Sequence, residues 1–232
     1  MHFRFKQFSI SQENTAMKVG TDGVLLGAWS RHSGEQLLDI GTGTGLLALM
    51  MAQRFKGIAI DAIEIDELAT IEAQSNVDAS PWSDRITVLN TSIQNYKPNK
   101  KYNSIICNPP FFVNSTKAHN SERNTARHTQ DLPFEDLVLF AASHLIIEGI
   151  FSLVLPPTEG EHFEGIALEK GLHLNRKTVV YPSPGKPVKR WLMEFCFQQN
   201  KSLDDDLIIE SGARHEYSKE YITLTKEFYL NM

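Results

Sequence analysis

The sequence predicts an α/β fold, with a doubly wound, mostly parallel sheet of seven strands, helices on both faces and an antiparallel hairpin at one edge. Three observations predict it. Strand-like and helix-like segments alternate from residue 36 to residue 155, the pattern of a parallel sheet built through right-handed crossovers. A glycine-rich turn, Asp39-Ile40-Gly41-Thr42-Gly43-Thr44-Gly45, sits between the first strand and the first helix of that series. Further on, two long β-like runs, Leu172 to Tyr181 and Arg190 to Phe197, flank a loop holding Pro182, Pro184, Gly185 and Pro187.

Near the N-terminus Phe3, Phe5 and Phe8 almost alternate, which suggests an extended segment laid over the domain. Gly20-Thr21-Asp22-Gly23 introduces a short apolar helix, Val24 to Trp29, with Thr21 or Asp22 as its N-cap. Gln36 to Ile40 reads as the first strand and Leu46 to Gln53 as a helix. Gly57 to Ile65 is a β-branched strand, and Glu67 to Asp78 is a helix stopped by Ser80-Pro81. Arg85 to Asn90 and Asn103 to Cys107 are the next strands. Pro133 fits the first turn of a helix running to about Ile146, after which Gly149 opens the strand Ile150 to Leu155. Glu161 to Lys170 is helical, and the hairpin follows. Leu207 to Glu210 adds a short strand, and Tyr217, Tyr221, Leu224 and Phe228 recur at helical spacing in a closing helix, Tyr217 to Leu230.

The 232 residues are enough to bury a core without disulfides. Cys107 and Cys196 each lie in an apolar run and read as buried free thiols, which fits a reducing compartment. The first residues have no apolar stretch of signal-peptide length, and no run approaches the ~20 apolar residues that span a bilayer, so a cytoplasmic location is expected. The net charge of −5 excludes a uniformly basic nucleic-acid binder; a nucleic-acid partner needs a local basic face. No metal-ligand cluster is visible and no metal is expected. His128, His144 and His162 lack partners at catalytic spacing, and Trp29, Trp82 and Trp191 read as packing.

The glycine turn spaces its glycines G-x-G-x-G, unlike the dinucleotide pattern. Glu64 ends the next strand roughly 20 residues on, where a carboxylate can accept both hydroxyls of a ribose. Asp39, just before the glycines, is badly placed for a pyrophosphate and suits a positively charged ligand. S-adenosylmethionine carries a ribose, an ammonium and a sulfonium; an ordinary glycine-rich turn and a nicotinamide or flavin site are the alternatives. Ser92 and Ile93 follow the third strand, where a polar side chain meets an adenine amino group or simply solvates a loop. Thr21 and Asp22 either contact the amino-acid end of the cofactor or only cap their helix.

Asn108-Pro109-Pro110-Phe111 ends the fourth strand, at the same carboxyl edge as the glycine turn. An amine on a planar ring, or an amide nitrogen, is a poor nucleophile because its lone pair is delocalised. Acceptors that bind its two N–H groups draw it toward a tetrahedral shape. Asn108 Oδ1 and the Pro109 carbonyl can supply them, Pro109 and Pro110 fix the backbone, and Phe111 can stack on a flat substrate.

At these residues the chain resembles the class I S-adenosylmethionine-dependent amino-methyltransferases, whose motif is Asn/Asp/Ser-Pro-Pro-aromatic. The likeness runs from about residue 17 to the C-terminus. Within the class it is similar to the bacterial enzymes that methylate N6 of the adenine beside a tRNA anticodon. The run from Ala16 through Met17-Lys18-Val19-Gly20-Thr21-Asp22-Gly23 to Trp29 carries most of that likeness. Gly45 to Met50, Ser80-Pro81-Trp82 and the ending Phe228-Tyr229-Leu230 add to it. The resemblance implies a Rossmann-like methyltransferase domain over residues 31–232 with residues 1–30 packed over its cofactor side. It implies S-adenosylmethionine as cofactor, S-adenosylhomocysteine as product, tRNA as partner and no metal. It assigns Asn108, Pro109, Pro110 and Phe111 to the adenine clamp. Asp39, Gly41, Gly43, Gly45 and Glu64 then hold the cofactor. Ser92 stands where those relatives carry an aspartate, so somewhat weaker cofactor binding is expected.

Two basic clusters are candidates for RNA. Lys117, Arg123 and Arg127, with His119 and His128, fall in the long polar stretch after the clamp. Arg176, Lys177, Lys186, Lys189 and Arg190 surround the hairpin, where lysines also serve to protect an edge strand. The main competing reading is a protein glutamine methyltransferase of the release-factor type, which uses the same clamp on an amide; its relatives carry a helical domain ahead of the glycine turn, and only 36 residues precede Leu37 here. A DNA adenine methyltransferase usually carries a separate recognition domain. An RNA-binding module that kept the fold without catalysis needs a broken clamp or glycine turn, and both are intact.

Overall fold

The computed structural model describes residues 2–15, 17–110 and 132–232. A two-stranded hairpin, β1 (His2–Arg4) and β2 (Ser9–Ser11), precedes α1 (Thr21–Trp29). Then come β3 (Gln36–Ile40), α2 (Leu46–Arg54), β4 (Ala59–Glu64), α3 (Glu67–Asp78), β5 (Ile86–Asn90) and β6 (Tyr102–Cys107). After the undescribed stretch follow α4 (Phe134–His144), β7 (Leu145–Leu155), α5 (Pro157–Glu169), β8 (His173–Tyr181), β9 (Arg190–Cys196), β10 (Leu203–Ile208) and α6 (Lys219–Thr225).

The strands after the hairpin form one sheet in the order β10, β8, β9, β7, β6, β3, β4, β5. Every neighbouring pair is parallel except the two made by β9, which alone runs against the rest. One apolar core lies between the sheet and α1, α2, α6 and the N-terminal aromatics; a second lies under α4 and α5. The doubly wound α/β arrangement therefore stands, with eight strands in the sheet among the described residues, the short strand read at Leu207 to Glu210 being β10. Because β10 pairs outside β8, the β8–β9 hairpin lies inside the sheet rather than at its edge. Periodicity hides most of β10: of Leu203–Ile208 only Leu207 is buried. Side chains instead tie it across the ladder, Lys177 to Asp204 at 3.6 Å and Thr178 to Asp205.

Two further boundaries differ from expectation. β7 begins at Leu145, directly after α4, and its register against β6 shifts between the pairs Tyr102↔Leu145 and Ser104↔Ile150. Gly149 sits in that irregularity, where a Cβ would stand 2.9 Å from the Ile146 carbonyl oxygen. The closing helix shrinks to Lys219–Thr225: Tyr217 bridges to Glu210, and Ser218 caps the helix by accepting from the Tyr221 amide at 3.0 Å.

Residues ahead of α1 are tied to α3. The Glu72 carboxylate accepts the backbone N–H groups of Glu13 at 2.5 Å, Asn14 at 3.2 Å and Thr15 at 2.9 Å. Burial works against its charge, yet these hydrogen bonds prevail and hold the carboxyl below the usual glutamate range. Asn76 reaches both the Ser11 backbone and the Thr44 carbonyl in the glycine turn. Val19 N–H donates to Gln12 Oε1 at 2.7 Å, and Lys18 Nζ donates to the Gln12 carbonyl. Residues 12–15 and 17–19 are thus anchored on both sides ahead of α1.

Candidate functional site

Three adjacent strands end in one row. Ile40 pairs with Ile63 on one side and with Cys107 on the other, so Gly41, Glu64 and Asn108 leave the sheet side by side. This is the carboxyl edge where a doubly wound sheet receives its ligand.

Gly41, Gly43 and Gly45 all have positive φ, at 67°, 56° and 82°. Only glycine adopts that backbone without strain, and a Cβ on Gly41 or Gly43 would meet nothing within 4 Å, so the turn borders open space. Asp39 fixes the turn from beneath. Its Oδ2 accepts from Thr42 Oγ1 at 2.6 Å and from the Ala48 amide in the first turn of α2 at 3.1 Å, while Oδ1 is buried and accepts nothing from a described residue. Burial pushes this carboxyl up to about 7, helped by the nearby Glu64 charge and opposed by the two hydrogen bonds. Glu64 is also engaged: Oε2 accepts from the Gly43 amide at 2.9 Å, and Oε1 from the Ile65 and Asp66 amides at 2.9 and 3.1 Å. A carboxylate offers about four acceptor sites, so a ligand hydroxyl can still be received. The open cradle, the unused Asp39 oxygen and the carboxylate at the next strand end fit a cofactor with a ribose and a positive charge.

Ser92 starts a turn: its hydroxyl accepts from the Asn95 amide at 3.3 Å and its carbonyl from Tyr96 at 2.9 Å, while Ile93 is buried in the second core. Neither Thr21 nor Asp22 caps α1. The N-cap is Gly20, with no side-chain cap bond, and Asp22 pairs instead with Arg190 Nε at 2.7 Å. That ion pair joins the start of α1 to the start of β9, a contact that local spacing could not reveal.

Asn108 follows β6 and its amide is sharply divided. Oδ1 is buried and accepts no hydrogen bond from a described residue, whereas Nδ2 donates to Met17 Sδ at 3.7 Å. Pro109 is buried and Pro110 exposed. α1 approaches closely: a Cβ on Gly23 would stand 3.8 Å from Asn108 Nδ2 and 3.0 Å from Leu46 Cδ2. The glycine turn, the start of α1 and Asn108 therefore share one small volume. Phe111, Lys117, Arg123 and Arg127, with His119 and His128, lie outside the described residues.

The hairpin cluster divides. β9 pairs Arg190 with Val180 and Trp191 with Leu155, which sets the 182–189 loop at the carboxyl edge with Asn108. Lys186 and Lys189 are exposed there. Arg176 does not stand free for a phosphate: its guanidinium lies 3.6 Å over the Trp29 ring and donates to the Trp29 carbonyl at 2.9 Å, locking α1 onto β8. Lys177 pairs with Asp204 and covers Trp191, and Arg190 holds Asp22. Two residues the sequence reading passed over join this edge. The Ile209 and Glu210 amides bond to Tyr181 and Pro182, so the 211–217 turn lies beside the loop and exposes Arg214 and His215. His215 has φ 69° in a turn held by the Glu210 carboxylate. Among the described residues no group of three or more His, Cys, Asp or Glu side chains is arranged for a metal, and no helix is long and apolar enough to cross a membrane.

Comparison with known proteins agrees with this geometry. Residues 15–158 match the family model of the methyltransferase small domain. A Phocaeicola vulgatus protein named tRNA1(Val) (adenine(37)-N6)-methyltransferase is 49% identical over 232 residues, covering 100% of this chain and 98% of its own. A Vibrio vulnificus protein of the same name is 43% identical, covering 99% of this chain and 96% of its own. In fold, a predicted O-methyltransferase from Agrobacterium tumefaciens superposes with a TM-score of 0.68 at 18% identity, covering 89% of this chain and 96% of that one. With its glycine turn and Asn-Pro-Pro segment meeting at one sheet edge, and relatives alike along their whole length, the chain belongs to the methyltransferase small-domain family, in its tRNA1(Val) (adenine(37)-N6)-methyltransferase branch.

Proposed function

We infer that this protein transfers a methyl group from S-adenosylmethionine to N6 of adenine 37 in tRNA1(Val). The observation that carries the reading is the buried, unused acceptor Asn108 Oδ1 in one row with the glycine turn and Glu64. The relatives' shared name supplies the substrate. A solved glycopeptide N-methyltransferase complexed with S-adenosylmethionine has the same fold at a TM-score of 0.57 and 11% identity.

When bound, S-adenosylmethionine supplies an electrophilic methyl on a sulfonium. The residues of this chain do the rest. Gly41 and Gly43 would give the cofactor room, Glu64 would accept from its ribose and Asp39 would supply a negative charge. Asn108 Oδ1 and the Pro109 carbonyl accept the two N6–H groups, which bends the amine toward a tetrahedral shape and aims its lone pair. Phe111 is the stacking face for the ring. The N6 amine can lose its proton to solvent after methylation, so the chain need supply no strong base. Residues 1–30 cover the cofactor side of a catalytic domain spanning 31–232. Lys186 and Lys189, extended by Arg214, give the carboxyl edge its cationic reach toward the tRNA backbone. Lys117, Arg123 and Arg127 belong to the same proposed contact.

The test is transfer of labelled methyl to tRNA from cells lacking this gene, followed by nucleoside analysis. Label in N6-methyladenosine of tRNA1(Val) is the expected result. Label in a protein fraction and none in tRNA would replace this reading with glutamine methylation.

Asp39 makes cofactor binding pH-dependent. Its carboxyl titrates at about 7 in the free protein, and a cationic ligand favours the ionised form. Affinity should therefore rise as pH climbs through 7 and level off above it, by about tenfold between pH 6 and pH 8. Calorimetry of S-adenosylmethionine binding across that range, with Asp39→Asn as the flat control, checks it.

A further inference from the structure

We propose that Met17 is a positioning residue for the clamp: its thioether fixes which end of the Asn108 amide faces the substrate. The inference rests on the function proposed above and adds a residue to it.

An asparagine amide has an acceptor at one end and a donor at the other, of nearly equal shape. A clamp that must accept N6–H works in only one of the two orientations. Flipped, Asn108 would turn N–H groups toward N6–H and repel it. Something must therefore hold the amide: among the described residues Asn108 Nδ2 donates to Met17 Sδ, at 3.7 Å, while the buried Oδ1 accepts nothing. A flip would set oxygen against sulfur, two electron-rich atoms. The thioether thus selects the productive orientation although it is only a weak acceptor.

Met17 is half exposed, so burial alone does not explain its place over the clamp. Its anchored neighbours hold it there. Glu72 collects three successive backbone N–H groups ahead of it, and Gln12 Oε1 takes the Val19 amide behind it. Gly23 borders the seat: a Cβ there would lie in ordinary contact with Asn108 Nδ2 at 3.8 Å and would crowd Leu46 Cδ2 at 3.0 Å. A carboxyl group on α3 therefore governs the orientation of an amide at the end of β6 through one methionine.

The experiment compares Met17→Leu, which keeps size and apolar character without the acceptor, and Met17→Gln, which offers an amide oxygen at similar reach. Each is made in the native chain and with Asn108→Asp, whose two carboxylate oxygens are equivalent and need no orienting. In the native background Met17→Leu should lower kcat about fivefold, the scale of one lost neutral hydrogen bond. KM for S-adenosylmethionine and for tRNA should stay within about twofold, and Met17→Gln should recover most of the loss. In the Asn108→Asp background Met17→Leu should cost nothing further. An unchanged kcat in Met17→Leu, or an equal loss in both backgrounds, overturns the proposal, the latter because it marks mere packing. If the Asn108→Asp enzyme is too slow to assay, recovery by Met17→Gln alone decides, and no recovery overturns it. Wild-type enzyme assayed alongside separates the two readings, since failure of the proposed function leaves the wild type itself inactive on tRNA.

Discussion

Replacing Asn108 by alanine should reduce methyl transfer to tRNA by about 10²- to 10³-fold, the range for removing one preorganised acceptor at a reacting centre. Cofactor binding should change little, because the cradle of Gly41, Gly43, Glu64 and Asp39 belongs to other strands. The substitution carries a second signature. Oδ1 of Asn108 is buried without a partner among the described residues, and an unpaired buried acceptor costs about 1–3 kcal/mol. Deleting it removes that cost along with the weak Nδ2 bond to Met17. The Asn108→Ala protein should therefore melt at or slightly above the wild-type temperature while losing its chemistry. Single-turnover methylation and a thermal melt measure the two sides. Rapid turnover in this variant would remove Asn108 from the clamp.

Glu64→Gln should weaken S-adenosylmethionine binding by about 10- to 100-fold, roughly 1.4–2.8 kcal/mol. The change keeps the side-chain shape but not its function. Both carboxylate oxygens already accept backbone N–H groups, from Gly43 on one side and from Ile65 and Asp66 on the other. An amide must turn its own NH2 toward one of these sets, donor against donor. If it faces Gly43, the glycine turn loses its hold; if it faces Ile65 and Asp66, the lead-in to α3 does. The ribose meanwhile loses a charged acceptor for a neutral one. Calorimetric titration of S-adenosylmethionine reads the loss. An affinity within about threefold of wild type would show that Glu64 does not receive the ribose.

Much of this was legible in the sequence because it is local. α3 spans Glu67–Asp78 as read, since Asp66 caps one end through the Ala69 amide and Ser80-Pro81 closes the other. The glycine turn was readable because three positive-φ positions demand glycine. What escaped was long-range or lacked periodicity. Asp22 pairs with Arg190 across 168 residues, Arg176 bonds to the Trp29 carbonyl across 147, and Met17 meets Asn108 across 91. Nothing in the spacing of a charge tells whether another element will claim it, so Arg176 read as a free cation when it is part of the scaffold. The start of β7 was missed because an irregular register erases the alternation that marks a strand. β10 was cut short because its exposed acidic residues look like a loop.

The inverted strand β9 has one more consequence. The family model ends at residue 158, which invites the view that the rest of the chain is an appendage. Yet α1, which forms one wall of the site, is moored to the later strands. Trp29 Nε1 donates to Thr178 at 2.7 Å, Arg176 covers the same indole, and Asp22 is held by Arg190, whose place at the carboxyl edge depends on β9 running backwards. The fold is therefore not modular along the chain: cut after residue 158, it keeps the glycine turn, Glu64 and Asn108 but loses the moorings of α1.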